Sequence, residues 1–211
     1  IEDLLITDVD NTYPDDFTLT VLEGANYTLN GETITPVLDF NGDLTVPVFV
    51  NDGELENSQS STFNLTVGVT PVNDSPEFTS IPITSAVEDA GYSYTMVAED
   101  IDVGDELTYT AQTLPGWLNF DGTATISGTP LNEHVGSNSV VLTVRGGTLT
   151  VEQSFTITVA NVNDSPVFSS TAVAAIEDAA SSYTVTASDD DGNTLTFSAT
   201  TSPTWLGFDG T

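Results

Sequence analysis

The chain has 211 residues and sets 32 acidic side chains against one arginine, Arg145, and one histidine, His134, for a net charge of −31. An excess of this sign opposes binding to nucleic acid or an anionic membrane. Cysteine and lysine are both absent, which removes disulfides, thiolate metal sites and any lysine-based isopeptide staple.

In chain order, the first distinctive group is acidic: Asp8-x-Asp10-Asn11. Phe17–Leu22 then alternates apolar residues with threonine, the period of a half-buried strand. Asn30-Gly31 lies between Tyr27-Thr28-Leu29 and Thr33-Ile34-Thr35, a two-residue hairpin signal. Further alternating runs are Phe63–Val67, Tyr92–Val97, Val140–Val144 and Phe155–Val159. No segment carries a useful helical period, and no apolar run approaches membrane-spanning length. Short β-branched strands punctuated by Gly, Pro and Asp, about seven in 90 residues, predict all-β, Greek-key β-sandwich domains.

The chain repeats itself. Val-Asn-Asp-Ser-Pro occurs at 72–76 and again at 162–166; Glu88-Asp89 returns as Glu177-Asp178, and Trp117-Leu118 as Trp205-Leu206. The offsets are 90, 89 and 88. A register kept over three anchors means a tandem module. The expected arrangement is a partial repeat at 1–74 without its N-terminal strand, a complete one at 75–164, and the N-terminal half of another at 165–211. That division reads as an excerpt from a longer array.

The carboxylates gather where the repeats join. Asp100-x-Asp102-x-x-Asp105 follows the strand that ends at Ala98, and Asp189-x-Asp191 with Asn193 follows its counterpart ending at Ala187. Alternate carboxylates on a turn converge and repel unless something positive lies between them. A hard divalent cation with six to eight oxygen ligands relieves this, and calcium tolerates the irregular geometry of loops. Asn73-Asp74 and Asn163-Asp164 in the linkers supply a second set of oxygens. The paired Trp residues read as core anchors.

Together the acidic turns, the linker Asn-Asp and the Glu-Asp resemble the cadherin superfamily. The stretch Trp117-Leu118, Phe120-Asp121-Gly122, Ile126-Ser127-Gly128-Thr129-Pro130, Val135-Gly136 and Val140-x-Leu142-x-Val144 is similar to the dystroglycan-type cadherin-like module of large bacterial surface adhesins. Residues 1–75 resemble a second cadherin-like repeat. The resemblance implies Ca2+ at each junction. Glu88, Asp89 and Glu133 would meet Asn163, Asp164, Asp189, Asp191 and Asn193 at one junction. Asn73 and Asp74 would meet Asp100, Asp102 and Asp105 at the other, while Asp8, Asp10 and Asp52 would face an upstream neighbour. One departure stands out. The first repeat keeps Val50-Asn51-Asp52-Gly53, but the second has Val144-Arg145-Gly146-Gly147, so a carboxylate is missing and the only arginine stands beside the gap. Either fewer calcium ions bind there or Arg145 supplies the charge.

The resemblance implies calcium-stiffened spacer modules of an extracellular, cell-surface protein or fibre, with adjacent repeats, like chains or surface polysaccharide as partners. The competing reading is a carbohydrate-binding module, which needs Tyr92, Tyr94, Tyr109 and the tryptophans to face solvent. Catalysis is not expected, because the single His has no Ser/Asp partner motif and no phosphate loop is present.

Overall fold

A computed structural model describes residues 6–9, 17–54 and 58–210. The chain divides into two compact units, Ile1–Asp74 and Ser75–Thr211.

In the first unit, β1 (Thr18–Val21), β4 (Gly42–Asn51) and β5 (Phe63–Val69) form an antiparallel sheet with β4 in the middle, and β2 (Tyr27–Asn30) pairs with β3 (Thr33–Pro36). Period-two alternation puts Leu44, Val46 and Val48 of β4 on one buried face, where Tyr27 joins them. The β2–β3 hairpin forms one residue later than Asn30-Gly31 predicts. Asn30 pairs with Thr33, so the loop is Gly31-Glu32. Gly31 takes a φ of +64° and Glu32 stays outside the left-handed region, the requirement of a turn that needs glycine first.

The second unit begins with β6 (Glu77–Phe78), β7 (Ser85–Val87), β8 (Tyr92–Thr95), β9 (Ala98–Glu99) and β10 (Thr108–Thr113). It continues through β11 (Leu118–Phe120), β12 (Thr125–Gly128), a 3₁₀ turn at Asn132–His134, β13 (Gly136–Gly146) and β14 (Leu149–Ala160). One sheet runs β10-β13-β14-β7 and the other β11-β12-β8. Their inner faces meet in one core: Tyr92, Tyr94, Leu118 and Ile126 from the second sheet lie against Val140, Leu142, Ile157 and Val159 from the first. This is a β-sandwich. Gly128 is needed because a Cβ there would overlap the Trp117 carbonyl oxygen.

Two features of this unit position the junction. β13 and β14 form a long hairpin, paired from Gly136↔Val159 to Gly146↔Leu149. β7 then joins β14 in parallel, Ser85↔Thr158 to Val87↔Ala160. The start of a module is thereby bonded to its own last strand, so the residue after β7 lies beside the linker.

Residues 165–210 open as the second module does. β15 (Val167–Phe168) pairs with β16 (Ala187–Ser188) as β6 pairs with β9. Tyr183 Oη donates to Ser170 Oγ at 2.7 Å, the counterpart of the 2.7 Å bond between Tyr94 Oη and Ser80 Oγ. The Pro203–Leu206 turn closes at 3.0 Å, as does Pro115–Leu118.

Candidate metal centre

The junction around 164 is built from the turn that follows β7. Val87-Glu88-Asp89-Ala90 closes through Ala90 N–H to the Val87 carbonyl at 3.2 Å, with Asp89 at φ +59°. Aspartate tolerates this left-handed backbone better than most residues, and the counterpart Asp178 has the same φ. Glu88 N–H donates to the Ala160 carbonyl at 3.0 Å and Asp89 N–H to the Pro130 carbonyl at 2.9 Å. The Glu88 side chain is thus drawn inward to 2% exposure, and its Oε2 accepts from Val162 N–H at 3.1 Å.

Glu88, Asp89 and Asp164 each present a carboxylate oxygen within 4.8 Å of the others. Asp191 closes on the same linker, with Oδ2 accepting from Asp164 N–H at 2.6 Å and Oδ1 from Asn161 Nδ2 at 2.7 Å. Asp189 Oδ1 shapes this turn, accepting from Asp191 N–H at 3.1 Å and Asn193 N–H at 3.2 Å. Asn193 Nδ2 donates to Asn163 Oδ1 at 3.3 Å. Loss of water around the Asp164 carboxyl pushes its pKa up, and Glu88, Asp89, Asp191 and Asp190 push it further the same way.

Glu133 is not drawn into this group. Its Oε1 lies 3.6 Å from His134 Nε2 and its side chain is exposed. Its neighbour Asn132 makes the crossing contact instead, donating Nδ2 to the Asp190 carbonyl. Asn132, Asn161 and Asp190 were not singled out in the sequence. Position 161 is proline, Pro71, in the earlier copy, so the repeat gives it no signal.

A second group lies in the loop after β9. Asp100, Asp102 and Asp105 also present oxygens within 4.8 Å of one another. Asp100 Oδ1 accepts from Asp102 N–H at 3.0 Å, and Asp105 N–H donates to the Asp102 carbonyl at 3.2 Å. Asp100 Oδ2 and Asp105 Oδ2 are buried without a hydrogen-bond partner. A buried carboxylate oxygen without a donor is costly, and Arg145 does not relieve it. The guanidinium is exposed and its Nε donates to the Gly147 carbonyl at 3.0 Å. The suggestion that Arg145 supplies the missing charge is therefore corrected, because its side chain folds back on its own turn.

Asn73 and Asp74 close the first unit, where Asn73 Nδ2 donates to the Asp74 carbonyl at 2.6 Å; Asn163 does the same to Asp164 at 2.7 Å. In that unit Asp8 is exposed, and half-buried Asp52 accepts from Glu54 N–H at 3.0 Å. Asp10 and Asn11 lie outside the described residues.

Both three-carboxylate groups are oxygen-only donor sets on turns, the chemistry of a hard divalent cation such as calcium. The two orphaned oxygens fit a cation better than a solvated loop.

The aromatic row required for sugar stacking is mostly inside. Tyr92 and Trp117 are each 6% exposed and pack edge to face at 5.6 Å, and Tyr94 is buried against Phe155. Trp205 is the exception among these rings, at 67% exposure.

Residues 70–160 match the family described as "Putative Ig domain". A search of curated proteins finds no match. Among solved structures, human CDH23 EC21-23 is similar at a TM-score of 0.55 and 20% identity, covering 84% of this chain and 70% of that one. Human protocadherin-24 EC1-2 (Form II) gives 0.50 and 15%, covering 74% and 85%. An endo-fucoidan hydrolase of glycoside hydrolase family 107 gives 0.36 and 22%, covering 71% of this chain, which spans only 24% of that enzyme's chain. At such identities the likeness is one of fold. The chain carries a β-sandwich module of cadherin- and immunoglobulin-like type.

Proposed function

We propose that the chain is a run of calcium-binding spacer modules from a long extracellular surface protein of the bacterial adhesin type, with cations holding successive repeats in a fixed relation. The repeats are 1–74, 75–164 and 165–211. The observation that carries this reading is the gathering of Glu88, Asp89 and Asp164 at one linker with Asp191 bonded to the same backbone, in a chain with a single arginine placed elsewhere. Four carboxylates converging without counter-charge repel. When bound, calcium supplies the positive charge and the coordination that offset this repulsion. Glu88, Asp89, Asp164 and Asp191 would hold one site, and Asp100, Asp102 and Asp105 another.

Extracellular modules of this class bind calcium with dissociation constants of roughly 10⁻⁴–10⁻³ M. At free calcium about a hundredfold above that constant, linkage contributes ~2.7 kcal/mol per site. Loss of that contribution frees the linker around Asn163-Asp164.

The test is small-angle scattering in millimolar calcium and again after chelation. The expected result is a long maximum dimension that shrinks, with a broader distribution of distances, once calcium is removed. A profile unchanged by chelation would refute the reading.

A further inference from the structure

Gly146 ends β13, opposite Leu149, and is buried. Its φ is not in the left-handed region, whereas that of the next residue, Gly147, is +51°. The backbone at 146 therefore accepts any L-residue, so conformation does not explain the glycine. Space does. A Cβ at this position would overlap Asp100 Oδ2 and stand 3.2 Å from its Cγ and 3.4 Å from Leu107 Cδ2. The oxygen that fills this space is one of the two buried without a partner. In the first repeat the matching position is Asp52, and the match to Asp100 is Asp8.

We propose that Gly146 is the positioning residue of the cation site in the second unit. By omitting a side chain it admits the Asp100 carboxylate against the end of β13, where Asp100 faces the cation with Asp102 and Asp105. This rests on the calcium reading above. The late strand has one carboxylate fewer than in the first repeat, and the space its side chain would need is filled by Asp100. Replacing Gly146 with the aspartate that the first repeat carries would then expel a ligand and not add one.

Calcium titration by isothermal calorimetry, with thermal melts in chelator, tests this on the full chain. Gly146→Ala is expected to weaken one class of sites by about 10- to 100-fold, the range for losing support behind a metal ligand, and to leave the other class unchanged. Asp100→Asn should weaken the same class while keeping the chelator melt near that of wild type, which covers the case in which Gly146→Ala fails to fold. The double variant Gly146→Ala/Asp100→Gly removes the overlap; its chelator melt should recover from that of Gly146→Ala while the weakened class does not. Recovery of both together would mean that Asp100 is not a ligand of the site, and would overturn the proposal. Wild-type affinity in Gly146→Ala, wild-type affinity in Asp100→Asn, or tighter binding in Gly146→Asp would overturn the proposal while leaving the calcium reading intact. Failure of the wild-type chain to bind calcium would overturn both.

Discussion

The Glu88 carboxylate accepts a hydrogen bond from the Val162 backbone N–H at 3.1 Å, linking residues 74 positions apart. Parallel pairing of β7 with β14 makes this possible, because it sets Val87 opposite Ala160. An acid from the start of the module is thus carried to the module's exit. An exposure of only 2% for an acid in a chain this acidic ties the fold to whatever neutralises the junction.

Calcium should therefore stabilise the second unit. Calorimetric melts are expected to rise on adding calcium, by up to ~2.7 kcal/mol per site at a hundredfold excess over the dissociation constant. Asp164→Asn should lose part of that increment while raising the melt in chelator, since it removes a carboxylate crowded by Glu88, Asp89 and Asp191. An Asp164→Asn increment equal to that of wild type would count against a cation at this linker.

Ile126 is fully buried in the core. Ile126→Ala is expected to cost about 2–5 kcal/mol in denaturant unfolding through lost contacts and a residual cavity. Val103→Ala, on an exposed loop, should stay within about 0.5 kcal/mol.

Burial, with Tyr94 adding to it, pushes the Tyr92 phenol up from 10.0 to about 12. Between those values the folded chain holds a proton that the unfolded chain has released, so stability falls as pH rises from 10 towards 12 and is unaffected by this group below 10. An ultraviolet difference titration should show a late tyrosine step that disappears in Tyr92→Phe, which also loses the 2.8 Å bond to the Ile83 carbonyl.

Asp121 Oδ1 accepts from Thr123, Ala124 and Thr125 N–H at 2.7, 3.0 and 3.0 Å. Hydrogen bonds led by Thr125 and Thr123 lower its pKa from 3.8 to about 2. The unfolded chain binds the extra proton first, so this contribution is present above pH 3.8 and fades as pH falls towards 2. Carboxyl NMR titration should find an aspartate that titrates near the bottom of that window. Asp121→Asn should flatten this part of the acid-stability curve.

The two tryptophans should separate spectroscopically. Trp117 is 6% exposed with Nε1 donating to Asn138 Oδ1 at 3.1 Å, and Trp205 is 67% exposed. Iodide should quench Trp205 alone, leaving Trp205→Phe with blue-shifted, protected emission. Equal quenching of both rings would contradict the placement of Trp117 in the core.

Much of the architecture was readable because it depends on periods. Alternation at two located the strands around Phe63–Val67 and Phe155–Val159, and these became parts of β5 and β14. Register at about 90 led to the expected repeats, since tandem sandwiches carry matching core residues at fixed offsets. Hairpin detail was less legible: Asn30-Gly31 marked the turn but not its register, because Gly31 alone needed the left-handed backbone.

Sequence by itself determined the acidic character, the β-sandwich modules and which residues recur at the seams, all of which follow from local chemistry and spacing. Only the tertiary structure decided which of the expected acids converge and how each is held. It kept Glu88, Asp89 and Asp164 together with Asp191 on the same linker, turned Glu133 towards His134, and lodged Asp100 over Gly146. The reason is physical. Convergence of like charges depends on strand pairing and on space left by absent side chains, and neither is written in the spacing of the acids themselves.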